Sequence, residues 1–187
     1  MKIYTKSGDQ GSTGLLFGGR VAKNDPRCAA YGEIDSATST MGLARATSND
    51  QTVRDILLSC QRDMFTVGAE LATALDNYEE YKSQFHIITE DDVTKLEALI
   101  DELAESVELP PKFIIPGASQ ASSAIDMARG AVRTAERAIV GMNEKNLLAN
   151  KEILKYINRL ADLLFMLARY EDRMLSTELV TGTRLGE

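Results

Sequence analysis

Between Tyr4 and Thr13 the chain runs Tyr4-Thr5-Lys6-Ser7-Gly8-Asp9-Gln10-Gly11-Ser12-Thr13, a polar stretch with two glycines, one lysine, one aspartate and four aliphatic hydroxyls. This is a composition for holding phosphates. Glycines at 8 and 11 let the backbone turn through positive φ and bring its N–H groups against an anion, where a Cβ would obstruct the approach. Lys6 supplies a mobile point charge. Asp9 is repulsive among phosphates unless it holds a metal, orders a neighbouring donor or caps the loop, and a magnesium–nucleotide complex would reconcile the mixture. The run is neither a Walker A loop nor a Rossmann fingerprint, because it has neither the Gly-Lys-Ser/Thr ending nor the G-x-G-x-x-G spacing. The same residue types also build an ordinary polar turn, so spacing alone leaves that reading open.

Two further anomalies lie in the second half. Arg129, Arg133 and Arg137 recur every fourth residue, which on a helix spreads three guanidiniums over about 80° of one face, with Glu136 on the same side. A bound polyanion would compensate their repulsion, as would acidic neighbours on other helices. From Leu160 to Ala168 every residue except Asp162 is apolar, a pattern that predicts a central helix with Asp162 at least partly buried against a cation. Asn158 lies one turn earlier on the same face. Together they would offer an amide and a carboxylate to whatever the arginines hold, or form a plain structural pair with them.

The elements that carry these groups read as helices almost everywhere. Asn24-Asp25-Pro26 is a helix start, followed over about 27–47 by Ala30, Ile34, Ala37, Met41 and Ala44 on one face. Similar stripes predict helices over about 50–75, 90–107, 118–143 and 150–175, the third and fourth separated by Pro110-Pro111. Five helices with short links predict an all-α protein, a five-helix antiparallel bundle preceded by an extended N-terminal segment. The chain is read as a single domain over 1–187, with 1–25 as the nucleotide-binding segment and 27–175 as the bundle. Asn77–Ile88 is the one long connection, able either to fold back or to cover a pocket.

Composition narrows the class. A chain of 187 residues can bury one sizeable core. A net charge of −7 supplies no basic field for nonspecific nucleic-acid binding. No stretch approaches the ~18 apolar residues of a membrane span, and no charged-then-apolar leader opens the chain, so a cytoplasmic protein is expected. Cys28 and Cys60 are too few for a disulfide framework and fit as small buried side chains. The lone histidine, His86, has Ser83 three residues before it, which removes a di-iron reading built on Glu-x-x-His.

Five motifs then occur in one register: Thr5-Lys6-Ser7-Gly8-Asp9-Gln10-Gly11-Ser12-Thr13 with Lys23, Tyr31-Gly32-Glu33-Ile34-Asp35, Phe113-Ile114-Ile115-Pro116-Gly117, Arg129 with Arg133-Thr134-Ala135-Glu136-Arg137, and Asn158-Arg159-Leu160-Ala161-Asp162-Leu163-Leu164-Phe165. In order and spacing they resemble the PduO-type ATP:corrinoid (cob(I)alamin) adenosyltransferases, over essentially the whole chain. The resemblance implies a five-helix bundle assembled as a homotrimer, with nucleotide between neighbouring subunits. It implies that Thr5, Lys6, Gly8, Asp9, Gly11, Thr13 and Lys23 wrap the triphosphate, and that Arg133, Glu136, Arg137 and Asn158 complete the nucleotide site. Asp35 would pair with Arg129 near the subunit interface, and Phe113 would lie beneath the corrin. The implied substrates are ATP with Mg²⁺ and cobalamin; a flavoprotein reductant and a cobalamin-dependent recipient enzyme are the implied partners. No residue is singled out as a metal ligand.

In that family a Co(I) centre attacks the 5′ carbon of ATP and inorganic triphosphate leaves. Fixed cations and Mg²⁺ around the leaving group would lower the barrier, with no general base required. The sequence departs from the family pattern at Ser36, Ala37 and Thr38, at Ala118, at Asp126 in place of a common histidine, and at Thr134 in place of a second arginine. Such changes allow an alternative: a catalytically weak paralogue that binds ATP and corrinoid as a sensor or carrier.

Overall fold

The computed structural model describes residues 3–176 and 178–179. Five long helices appear where the apolar stripes predict them, and a sixth, short one lies in the long connection. A two-stranded antiparallel ribbon, β1 (Ser12–Gly14) and β2 (Arg20–Ala22), precedes α1 (Pro26–Thr47) and α2 (Gln51–Leu71). Then come α3 (Tyr78–Gln84), α4 (Glu90–Ala104), α5 (Gln120–Glu144) and α6 (Glu152–Glu171).

Each boundary has a local cause. Asp25 accepts a hydrogen bond from the Arg27 N–H at 2.9 Å, with Pro26 in the first turn of α1. Asp50 does the same for the Val53 N–H at 3.2 Å, and Asn150 for Glu152 at 3.0 Å. Thr89 with Asp92, and Ser119 with Ser122, form reciprocal capping boxes at the starts of α4 and α5. α2 stops at Leu71 rather than near 75, and the Ala72 carbonyl accepts from the Leu16 N–H at 3.0 Å. A helix carbonyl left over at a C-terminus is thus satisfied by the N-terminal segment.

In space the packing order is α2, α1, α5, α6, α4, so α1, α5 and α6 are interior neighbours. Ser48, at the end of α1, donates to Glu171 at the end of α6 (2.7 Å), and Arg173 reaches Asp50 at 2.9 Å. Consequently α1 and α6 run in the same direction and α5 opposes both. The stripe residues Ile34, Met41, Leu57, Met64, Ile125, Val132, Ile139, Ile157 and Leu164 form one continuous core. Tyr156 is fully buried, and its hydroxyl donates to Asp63 at 2.9 Å. Burial pushes the Asp63 carboxyl up, the Tyr156 bond partly opposing it.

The expected burial of Asp162 is overturned. Its side chain is 56% exposed and pairs within α6 to Arg159 at 2.9 Å, while Arg159 also meets Glu97 of α4 at 3.0 Å. A helix turns 100° per residue, so a nearly all-apolar segment still leaves one strip open, and Asn158 and Asp162 lie on it. Cys28 is corrected in the same way: Cys60 is buried, but Cys28 is only half-buried and accepts a bond from the Tyr31 hydroxyl at 2.9 Å. Among the described residues no helix is long and apolar enough to cross a membrane.

Candidate active site

The loop ahead of the ribbon is built from two successive backbone turns, in which the Asp9 N–H donates to Lys6 O (3.3 Å) and the Gly11 N–H to Gly8 O (3.2 Å). Lys6 takes φ 60°, a left-handed value uncommon outside glycine, and Gly11 takes φ 76°. Consecutive N–H groups in such turns make a shallow anion-binding concavity. Lys23 is drawn in from β2: its N–H donates to Gly11 O at 2.9 Å, and its ammonium lies 3.1 Å from where a Cβ on Gly8 would stand. Gly8 thus lets the Lys23 side chain approach closely, and a Cβ there would make it give way. Thr5 and Ser7 share a hydrogen bond between hydroxyls at 2.8 Å. At the ribbon's base Thr13 meets Tyr31 of α1, whose hydroxyl is pushed up to about 12 by burial and by the neighbouring Cys28 thiol.

Arg20 escaped the sequence reading. Its guanidinium donates to Ser7 O (2.8 Å), Ser12 O (3.2 Å) and the Ser12 hydroxyl (2.8 Å), stapling the loop to the ribbon. A basic residue directly after Gly18-Gly19, at the return strand of a hairpin, was the available signal.

The second group of candidates lies on α5 and α6. Arg133 is exposed and has no side-chain partner among the described residues. Arg137 donates to the Thr134 hydroxyl at 2.9 Å, so Thr134 orients one of the arginines. Asn158 donates to Glu136 across the two helices at 3.1 Å. Arg129 pairs with Asp126 at 3.5 Å, and Asp126 also pairs with Arg169, whose side chain is 6% exposed. Both guanidiniums lie against the Phe165 ring, at 5.9 Å and 5.5 Å from its centroid. The Asp126–Arg169 pair was not anticipated, because the two residues are far apart in sequence and only helix packing joins them.

Asp35 is exposed at the rim of an apolar groove of about 470 Å³ between α1 and α2, lined by Tyr31, Thr38, Phe65, Gly68 and Ala72 among others. Within the chain it does not pair with Arg129, which Asp126 occupies. Ser36 and Thr38 turn their hydroxyls back onto Gly32 O (3.1 Å) and Ile34 O (2.7 Å) of their own helix. Phe113 is 85% exposed on the connection between α4 and α5, and that connection is held by Ile115 N–H donating to Glu178 O at 2.9 Å.

The structure therefore brings Thr5, Lys6, Gly8, Asp9, Gly11, Thr13 and Lys23 into one loop, and Arg133, Glu136, Arg137 and Asn158 onto one wall. Among the described residues no hydrogen bond or ion pair joins loop to wall within the chain. Against this geometry, a sequence profile described as cobalamin adenosyltransferase matches residues 3–171. The chain belongs to the cobalamin adenosyltransferase family. A corrinoid adenosyltransferase of Citrobacter freundii is 38% identical over 91% of this chain and 95% of its own length, and one of Bacillus subtilis is 40% identical over 90% and 86%. The match to a Salmonella typhimurium corrinoid adenosyltransferase PduO, 38% identical, takes in 92% of this chain but half of that longer protein. A phenylalanine-to-alanine variant of the PduO-type ATP:corrinoid adenosyltransferase from Lactobacillus reuteri, solved with cobalamin and ATP, shares the fold. Its TM-score is 0.87 at 36% identity, over 95% of this chain and 98% of that one. The family's fold is the all-α bundle predicted from the stripes, with the small ribbon added.

Proposed function

We propose that this protein is an ATP:corrinoid adenosyltransferase, moving the 5′-deoxyadenosyl group of ATP onto cob(I)alamin and releasing inorganic triphosphate. Beyond family membership, one observation carries the reading to specific residues. Lys6, Lys23 and Arg133 are exposed cations with no acidic partner among the described residues, on a chain whose net charge is −7. Unpaired cations gathered in a glycine-bearing loop and on a rigid helix suit a polyphosphate.

In the reaction Co(I) supplies both electrons of the new Co–C bond, and the electrons of the breaking C5′–O bond leave on triphosphate. Negative charge grows on the leaving group, so Lys6, Lys23, Arg133 and Arg137 stabilise the transition state more than the ground state. The loop N–H groups between Lys6 and Gly11 add fixed partial charges. Glu136, held by Asn158, would accept from a donor on the nucleotide. Mg²⁺ enters as part of the MgATP substrate; it draws most of its ligands from phosphate and water and needs one or two protein carboxylates, a demand that Asp9 meets. Phe113, almost wholly exposed, presents an apolar ring that would exclude an axial ligand beneath the corrin and make Co(I) accessible.

From family membership we assign a homotrimer with nucleotide at each interface, where the loop of one copy would meet the wall of the next. There Asp35 of one copy would reach Arg129 of the next. A single-domain cytoplasmic enzyme served by a flavoprotein reductant and delivering to a cobalamin-dependent enzyme completes the proposal. The alternative of a sensor or carrier draws on Ser36 and Thr38, whose hydroxyls are consumed by their own helix. The deciding assay mixes MgATP with chemically reduced cobalamin under anaerobic conditions. Light-sensitive adenosylcobalamin with matching triphosphate is the expected result; ATP binding with unreacted Co(I) would move the assignment to the carrier.

A further inference from the structure

The aromatic cluster under the ribbon tip has no part in the chemistry described above. Phe17 stands at φ 61°, and Gly18 and Gly19 follow at 105° and 81°. For a bulky L-residue the left-handed region is disfavoured, so the surroundings must hold Phe17 there. Its ring packs edge-on against Tyr81 and Phe85, each at 5.9 Å between centroids, and those two stack at 5.3 Å. Asn77 Nδ2 donates to Phe17 O at 2.6 Å, and Leu16 N–H to Ala72 O at 3.0 Å.

This clamp is itself rooted in the core. Tyr78 stacks on Tyr81 at 6.2 Å and donates at 2.6 Å to Glu70, a buried carboxylate that also accepts from Ile88 N–H (2.7 Å) and Asn150 Nδ2 (2.9 Å). α3 is thereby tied to α2 and to the links before α4 and α6. In the other direction β2 begins one residue after Gly19, and its first residue, Arg20, staples Ser7 and Ser12. Lys6, Asp9, Gln10 and Gly11 are exposed, so the loop has little packing of its own. Its position on the bundle is set at the ribbon tip and at the start of α1.

The geometry points to Phe17, together with Asn77 and Tyr81, as positioning residues for the nucleotide: the aromatic clamp on α3 fixes the phosphate loop before ATP arrives. Binding then does not have to order the loop, which is the general route by which preorganisation raises affinity. The inference rests on the reading of residues 5–13 as the triphosphate loop.

The test compares the unaltered protein with Phe17→Ala, Phe17→Tyr and Lys6→Ala in the anaerobic assay, with thermal melting and amide hydrogen exchange measured without ATP. Phe17→Ala is expected to raise KM for ATP about tenfold while kcat and KM for cobalamin stay within about twofold, the pattern of lost ground-state binding. Amides of residues 5–14 should exchange faster, the melting midpoint should hardly move, and Phe17→Tyr, which keeps the ring, should restore KM. If Lys6→Ala weakens ATP binding while Phe17→Ala leaves KM and loop exchange unchanged, the clamp is overturned and the nucleotide loop stands. Parallel losses in kcat and in both KM values, with a lowered melting midpoint, would show a general structural role and overturn it as well. If Lys6→Ala leaves ATP binding untouched, the loop reading falls and the clamp falls with it.

Discussion

The N-terminal loop and the α5–α6 wall both carry the cations proposed for the triphosphate, yet they are held in opposite ways. The wall is self-supporting: Asp126 neutralises Arg129 and the buried Arg169, Thr134 orients Arg137, and Asn158 orients Glu136. The loop is held by Arg20, by the Lys23 N–H on Gly11 O, by its own backbone turns and by the ribbon tip, with no ion pair among them. Where the scaffold already supplies partners, a substitution should cost stability; where it does not, the cost should appear in ATP binding or turnover.

The largest effect should follow from breaking the wall's buried pair. Asp126→Ala leaves the Arg169 guanidinium, 6% exposed, without its partner, and unpaired buried charges of this kind cost roughly 3–5 kcal/mol. Chemical denaturation measures it, and a loss below ~1 kcal/mol would mean that the wall does not depend on this pair. Next comes Arg133→Ala, which removes an exposed cation with no intramolecular partner. Turnover should fall on the order of 10²-fold with the melting midpoint unchanged, by analogy with deletion of one oxyanion donor. Wild-type rates would sink the assignment of Arg133 to the triphosphate. Coexpressed Lys6→Ala and Arg133→Ala chains sharpen the same point. If the loop of one copy serves the wall of the next, mixed assemblies contain some unaltered interfaces and regain activity that neither variant has alone.

Smaller still is Gly8→Ala. The new methyl would stand 3.1 Å from the Lys23 ammonium and 3.2 Å from its Cε, so a flexible side chain must retreat and KM for ATP should rise about fivefold, with stability unaltered. An unchanged KM would remove Lys23 from the phosphate site.

The smallest effect concerns pH at the root of the clamp. Burial raises the Glu70 carboxyl above its ordinary 4.5, outweighing the bonds from Ile88, Tyr78 and Asn150. The folded state therefore keeps this proton to a higher pH than the unfolded chain does. The associated stability is complete below about 4.5 and is lost as pH rises through the folded value, at no more than about 1.4 kcal/mol per pH unit. Melting of the unaltered protein against Glu70→Gln from pH 4 upward should show a difference that changes across this window. A pH-independent difference would put the proton elsewhere.

The apolar stripes made the long helices legible because a 3.6-residue period needs no partner to be seen. α3 was not: Tyr78, Tyr81 and Phe85 do recur at i, i+3 and i+7, but over only two turns among charged residues, too short a run to mark a helix, and two of the rings meet Phe17 at the ribbon tip. The same limit produced the error at Asp162: density of apolar residues says that a helix is central, but which strip stays open depends on where its neighbours sit. Of the candidate site, the loop residues were readable as a local cluster. Arg20 was signalled only by its place after Gly18-Gly19, and the partner of Asn77 and Tyr81 was not readable, because Phe17 lies some sixty residues earlier in the chain.

By itself the sequence determined the helical class, the core stripes, the phosphate-suited loop and, through motifs in register, the family. These are local or repetitive properties, encoded in neighbouring residues. The tertiary structure alone decided that Asp126 serves Arg169 and that Phe17 meets Asn77, Tyr81 and Phe85. Such pairings join residues up to tens of positions apart, and only the packing of whole helices determines which distant side chains come within hydrogen-bond reach.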